Sequence, residues 1–232
     1  VIWDQALRVR GGSRGERACS MACSHSSMAR VTVQTLSGDA LSLDLASART
    51  VADLKDILAA RWSVPRVFQR LIHGQTVLQD AAYVPRLAAD GAPLRLTMLL
   101  SFEAIKDELR STDAFRLLHA LRQIESLGRR GGGTAMAILE AFLGHPDDNV
   151  RIAGARALAK VAGRGDSRAM DMLRPHLSAG SSDARGAAVF ALSQIAERGD
   201  PRAAEDVGAL LGDADSSVRS RLQLPVVATG LH

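Results

Sequence analysis

The chain has 232 residues, of which 47% are hydrophobic and only 3% aromatic, and its formal net charge is +4. This length allows one or two domains, and so few aromatic rings favour alanine- and leucine-rich helices over an aromatic-rich β-sandwich. Because no apolar run approaches the roughly 18 to 20 residues of a membrane span, we expect no membrane partner. We expect an intracellular protein, cytoplasmic or, as the alternative, nuclear.

Residues 1–28 predict a disordered basic tail. Residues 1–30 contain five arginines against Asp4 and Glu16, so most of the excess positive charge lies there. Met28 directly precedes the first predicted strand and is the natural initiator. We therefore expect that the tail before it is not native.

Residues 29–100 predict a small mixed sheet crossed by one helix. Apolar residues alternate on both sides of a turn at 37–39, which is a hairpin signature. A helix follows from Val51, with Thr50 as its cap, and ends before Pro65. Two further apolar strand segments, RLIHGQTVLQD and LRLTMLL, complete the sheet.

The segments TLSGDALSLDL, TVADLKDIL, QRLIHGQ and LRLTMLL stand in the order and near the spacing of ubiquitin, so residues 30–99 resemble a ubiquitin-like domain. The resemblance implies an α+β fold of the β-grasp type. It also implies a protein-binding surface, for which the candidate residues are Leu36, Arg70, Ile72 and Arg95. Leu36 and Ile72 stand at two apolar positions of the ubiquitin patch, whereas Arg95 stands where the family has histidine. The alternative is that Leu36 and Ile72 are a turn and a strand residue with no special role.

The ubiquitin-like segment continues into a predicted helix after Leu100 and has no flexible diglycine end. Conjugated modifiers need such an end, so the resemblance implies a built-in docking module.

Residues 147–177 and 181–211 share a register of 34 residues, which predicts a stacked array of helical hairpins. The register repeats arginine at Arg151, Arg185 and Arg219. Each unit predicts a first helix, a glycine-rich break and a shorter second helix. The predicted helix-start residues are Asp148, Ser182 and Ser216 for the first helices, and Asp166 and Asp200 for the second helices.

The segments NVRIAGARALAKVAGRGD, DARGAAVFALSQIAERGDPRA and SSVRSRL resemble the short, alanine-rich form of HEAT repeats. An earlier copy over 112–143 has a longer loop, GRRGGG at 128–133. The last copy ends after its first helix, because Pro225 breaks the pattern, and residues 223–232 predict an irregular tail. The resemblance covers about 112–222 and implies an all-α, HEAT-type solenoid, within a helical domain of 103–222, after the β-grasp domain.

The residues give no sign of catalysis, so we expect a protein that is not an enzyme and has no cofactor. The six histidines are dispersed, and none is followed by glutamate as in the iron-binding HEAT-repeat hydroxylases. Cys19 and Cys23 supply too few ligands for a structural zinc site, which usually takes four. No basic stripe for nucleic acid is visible, and the repeated arginines at 151, 185 and 219 are expected to be solvated or bonded to loops.

These observations predict a protein-interaction scaffold or adaptor with protein partners and no small-molecule substrate. The ubiquitin-like face would engage a ubiquitin-pathway receptor or a proteasome component, and the array would hold a second protein. In the alternative, the ubiquitin-like domain only caps the solenoid, which acts as an accessory subunit or as a distant relative of the helical-repeat lyases that attach bilin pigments.

Overall fold

The computed structural model describes residues 30–44, 47–87 and 93–229. The N-terminal part is a five-stranded mixed sheet with the strand order β2-β1-β5-β3-β4. Strands β1 and β5 run parallel, and the other neighbouring pairs are antiparallel. The strands are β1 Arg30–Thr35, β2 Ala40–Asp44, β3 Gln69–His73, β4 Thr76–Val77 and β5 Leu94–Leu100.

Helix α1, Val51–Trp62, supplies the buried layer on one face of this sheet. Its first turn is closed by a capping box, in which the Asp53 N–H donates to the Thr50 hydroxyl and the Thr50 N–H donates to the Asp53 carboxylate. The cap predicted at Thr50 is therefore confirmed. Apolar residues at three- and four-residue spacing place Leu54 and Leu58 in the core, which they share with alternate strand residues. A short helix α2, Val84–Leu87, follows β4.

A short junction joins the sheet to the helical array. The Ser101 N–H donates to the Phe68 carbonyl at 2.9 Å, and the Phe102 ring meets the Phe68 ring edge-on with centroids 5.3 Å apart. A 3-10 turn, Glu103–Ile105, then leads into α3, Lys106–Leu109. Only 1% of Ile105 is exposed. The buried apolar residues of the sheet, the junction and the array consequently form one continuous cluster.

The array consists of first helices that begin 34 residues apart and shorter second helices between them. The first helices are α4 Ala114–Leu127, α6 Asp148–Val161, α8 Ser182–Ile195 and α10 Ser216–Thr229. The second helices are α5 Gly132–Leu143, α7 Ser167–Leu177 and α9 Pro201–Gly208. Helix α6 packs against both α4 and α8 along its length, whereas the second helices touch one another far less.

Equivalent core positions keep the same register through three units. Ile124, Leu158 and Leu192 are fully or almost fully buried in successive first helices. Small residues allow close packing: a Cβ added at Gly154 would lie 3.2 Å from the Cβ of Phe142 in α5. The prediction that neighbouring hairpins share one apolar core agrees with this arrangement.

The structure corrects three details of the predicted helices. The caps of α6 and α8 are Asp147 and Ser181, one residue before the predicted starts, because these side chains face the free N–H groups of the first turn. The predicted caps Asp166 and Asp200 are confirmed.

The GRRGGG segment is not a longer loop. It forms a 3-10 turn, Gly128–Gly131, after which α5 begins at Gly132, so the first unit has the same length as the others. Helix α10 continues to Thr229, so part of the segment predicted to be irregular from 223 is helical. The predicted tail 1–28, with Met28, Cys19 and Cys23, lies outside the described residues.

Candidate functional site

Three of the four predicted binding residues lie on the side of the sheet that faces away from the core, and the fourth lies in a turn at the end of β1. Strand alternation buries Gln69 and Leu71 and places Arg70 and Ile72 on the opposite face. Arg95 lies on the same face of β5, between the buried Leu94 and Leu96. Leu36 follows β1 in the turn and is 82% exposed. The structure thus brings Arg70, Ile72 and Arg95 to one surface and leaves Leu36 in an exposed turn.

The strand register sets the distances between these side chains. Ile72 stands opposite Thr97 on one side and Val77 on the other, and Arg70 stands opposite Leu99. Residues directly opposite each other on neighbouring strands have Cβ atoms about 5 Å apart. We call the resulting surface the outer sheet face, and it consists of Arg70, Ile72, Val77, Arg95, Thr97 and Leu99.

The outer sheet face combines an apolar centre with two cations. Ile72 and Leu99 are half-buried, and Val77 is 39% exposed, so a partner could cover further apolar area here. Both guanidinium groups are exposed, and neither has a carboxylate within ion-pair distance among residues 30–44, 47–87 and 93–222. Such a surface can bury apolar side chains of a partner and pair with acidic groups around them.

A cleft of about 610 Å³ adjoins this face where β3 and β4 meet the junction. Arg70 and Val77 line it together with Ser101 and Glu103. On its other side the Lys55 ammonium donates to Asp80 at 2.6 Å, and this hydrogen bond lowers the pKa of the Asp80 carboxyl. Lys55 and Arg66, the other cations that line the cleft, pair with Asp80 and Asp56, so Arg70 is the lining cation without an ion pair among the described residues.

The repeated arginines of the array hold its loops. In each of them Nη1 donates to the backbone carbonyls five and six residues earlier. The acceptors are His145 and Pro146 for Arg151, Ala179 and Gly180 for Arg185, and Asp213 and Ala214 for Arg219. Arg185 also donates to both oxygens of Asp213, at 2.7 and 2.8 Å. This hydrogen bond lowers the pKa of Asp213 and raises that of Arg185. The expectation that these arginines bond to loops is confirmed.

A groove of about 660 Å³ lies between the second helices α7 and α9. Its floor contains Leu177 and Leu210, and Arg174 forms a two-pronged ion pair with Asp206 across it, with three N–O distances of 3.0 to 3.1 Å. This pair links two successive units of the array.

Sequence reasoning missed a basic edge that the structure brings together. The turns between first and second helices stack on one another: the Gly165 N–H donates to the Ile195 carbonyl of the next unit at 2.7 Å. These turns carry exposed arginines, which lie far apart in the sequence and adjoin only through the stacking of the repeats. We call this surface the arginine edge, and it consists of Arg129, Arg130, Arg164, Arg168, Arg198 and Arg202.

The expectation concerned a basic stripe for nucleic acid, and it stays a prediction; the arginine edge is a basic surface that the sequence analysis did not identify. The signal was present in the 34-residue register, which places Arg130, Arg164 and Arg198 at one equivalent position. It was overlooked because the excess charge was assigned to the N-terminal tail.

Two other features are absent from the described residues. Within 30–44, 47–87 and 93–229, no group of three or more metal-binding side chains is positioned to hold an ion. In the same part of the chain, none of the helices combines the length and apolarity that crossing a membrane would require.

A family model of HEAT repeats matches residues 103–193, from the junction into α8. This part of the chain therefore carries HEAT repeats, as predicted, and α9 and α10 continue the same 34-residue register. No curated protein matches the chain. Because HEAT repeats generally mediate protein–protein interaction, the array belongs to the class of helical-repeat interaction scaffolds.

Proposed function

We propose that this protein is a non-enzymatic adaptor that docks through a ubiquitin-like domain and holds a second protein on its HEAT-type array. The ubiquitin-like face would bind a receptor of the ubiquitin pathway or a proteasome component, in the cytoplasm or the nucleus. The observation that carries the proposal is the outer sheet face, where half-buried Ile72 and Leu99 and exposed Val77 are flanked by two exposed arginines.

The strand order supports the ubiquitin-like assignment of residues 30–99. A parallel pair β1–β5 in the centre, a hairpin on one side and α1 across the core face agree with the β-grasp arrangement that the sequence resemblance implies. The described residues also favour docking over conjugation, because β5 continues directly into the junction and its Ser101 N–H is bonded to Phe68.

The chemistry of the outer sheet face defines the partner it would accept. An apolar knob of the partner would cover Ile72 and Leu99, and acidic groups around that knob would pair with Arg70 and Arg95. An amphipathic helix with an acidic rim has this pattern. Truncation of a central, well-covered residue in such an interface often costs about 2 kcal/mol or more.

The test measures binding of purified proteasomal ubiquitin receptors to the full chain and to Ile72→Asp. The substitution places a charge at the centre of the face and should weaken binding by at least about tenfold. Ala60→Asp is the matched control, since it adds the same charge at an exposed position of α1 on the other side of the sheet. Equal affinity of the two variants for every receptor would remove the docking proposal.

A second candidate function is that the sheet only caps the array. The observation that favours it is the junction, where Ile105 is buried and the Phe68 and Phe102 rings are in contact. An end of a helical array needs such a cover, because its terminal unit would otherwise expose an apolar face. The sheet can serve both functions at once. They differ in one respect, because the docking function needs a partner on the outer sheet face and the capping function does not.

A further inference from the structure

We propose that the arginine edge is a binding surface for an acidic, extended polypeptide segment. The edge lies on the array and not on the sheet, so this inference does not depend on the docking role of the outer sheet face. It rests on six exposed guanidinium groups that the stacking of three units brings to one side of the molecule.

Side-chain contacts of arginines join the first and second turns of the edge. The Arg129 guanidinium packs against Gly163 of the next turn, where an added Cβ would lie 2.6 Å from Nη2. Arg168 reaches back to the preceding turn, with Nη1 3.7 Å from the position of a Cβ at Gly133. The second and third turns are joined by the hydrogen bond from the Gly165 N–H to the Ile195 carbonyl, and the side chain that packs on Gly165 from the third turn is Glu197. The arginines of neighbouring units are therefore within reach of one ligand.

The arginines of this edge form no direct ion pairs within residues 93–222, although the carboxylates of Asp166, Glu197 and Asp200 lie nearby. Elsewhere in the array, Arg151, Arg174 and Arg185 all have carboxylate partners. The nearby Asp166 and Asp200 are occupied, because each accepts the N–H groups at the start of a second helix.

The spacing of the arginines suits an extended peptide. Packed helices lie about 8 to 10 Å apart, so Arg130, Arg164 and Arg198 extend over roughly 20 Å. In a polyproline II segment, which has three residues per turn and a rise of about 3.1 Å per residue, the side chains of one face recur about every 9 Å and so meet each successive arginine. The planar guanidinium group matches the two oxygens of a carboxylate, so glutamate and aspartate side chains fit these positions.

The surroundings of the edge favour an acidic polypeptide over nucleic acid. Single-stranded nucleic acids are bound on aromatic side chains that stack with the bases. The exposed aromatic residues of the described chain are elsewhere: Tyr83 in the sheet domain, Phe115 at the opposite end of α4 and Phe190 within α8.

The experiment measures fluorescence anisotropy of a labelled poly-glutamate peptide of about ten residues, long enough to cover the edge, with the full chain. We expect binding that weakens as salt is raised, because exposed charges are screened. The triple variant Arg130→Gln, Arg164→Gln and Arg198→Gln should bind about tenfold more weakly.

The matched control is the triple variant Arg116→Gln, Arg122→Gln and Arg156→Gln. It removes the same charge from exposed positions of the first helices, away from the edge, and should change the affinity less than about twofold. A second edge variant, Arg168→Gln with Arg202→Gln, should also weaken binding. Equal losses in control and edge variants, or tighter binding of an oligothymidylate of the same length than of the peptide, would overturn the proposal.

Discussion

Ile105→Ala tests whether the sheet and the array unfold as one body. Ile105 is 1% exposed at the junction, so the substitution removes a buried side chain and leaves a cavity. Such truncations cost about 2 to 5 kcal/mol, and a protein of about 150 to 250 residues loses about 2 to 4 °C in Tm per kcal/mol. A central value of about 3 kcal/mol therefore predicts a decrease in Tm of about 6 to 12 °C.

The assay follows unfolding with one probe in each part of the chain. In a Trp3→Phe background, Trp62 of α1 is the only tryptophan and reports on the sheet, while far-ultraviolet circular dichroism reports mainly on the helices of the array. If the shared core couples the two parts, both probes show one transition and Ile105→Ala shifts both equally. Phe115→Ala, at an 83% exposed position, is the control and should stay within about 0.5 kcal/mol of the parent.

Separate transitions in the parent protein would refute this reasoning. So would an Ile105→Ala shift that appears with one probe and not with the other. In either case the continuous cluster of buried residues would not act as a single cooperative core, and the capping function would be lost with it.

Three further predictions concern stability. Gly199 has φ of +77° and no atom within 4 Å of an added Cβ, so Gly199→Ala should lower the free energy of unfolding, measured in urea, by about 1 kcal/mol through the backbone alone. The control Gly208→Ala in α9 should be neutral or stabilising, and equal effects of the two substitutions would contradict the conformational argument. Hydrogen bonds from the hydroxyl and N–H of Ser217 lower the pKa of Asp215 to about 2, so the Asp215 carboxylate stabilises the fold above about pH 4 and stops doing so as the pH falls towards 2. The Tm difference between the parent and Asp215→Asn should therefore shrink over that range, and a constant difference would contradict this assignment. Burial, and to a smaller extent the charge of Arg151, lowers the pKa of His176, so the folded protein should lose stability as the pH drops below about 6.5 and the unfolded chain becomes protonated. The loss should be smaller in His176→Gln, and an identical pH dependence of the two proteins would contradict this cause.

The periodic part of the fold could be predicted because its signal is local and repeated. Leucines and alanines at helical spacing gave the first helices, and the 34-residue register placed them against one another. The same register would have corrected the first unit, since Asp113, Asp147, Ser181 and Asp215 stand at equivalent positions. The glycines of GRRGGG concealed this, because they favour a loop by propensity.

Packing explains why α5 nevertheless begins within this segment, at Gly132. Ala135, Met136 and Leu139 of α5 are buried against the rest of the array, and this burial outweighs the low helix propensity of the residues before them. A similar conflict occurs at Pro175, which lies within α7 although proline disfavours helix interiors. Local propensity therefore fails at the places where tertiary contacts dominate.

The two sets of repeated arginines show why the surface was harder to predict than the fold. Arg185 and Arg198 have the same side chain and both recur with the 34-residue period. Arg185 lies in the first turn of α8. Its guanidinium group is therefore close enough to bond two backbone carbonyls of the preceding turn and the carboxylate of Asp213. Arg198 lies in a turn at the opposite end of the helices, where the nearby Asp200 is already bonded to backbone N–H groups of α9. The 34-residue period shows which arginines occupy equivalent positions in successive repeats. It does not show which of them have acceptors within reach, and this difference decides that Arg185 and its equivalents bond to the array whereas Arg198 and its equivalents can meet a partner.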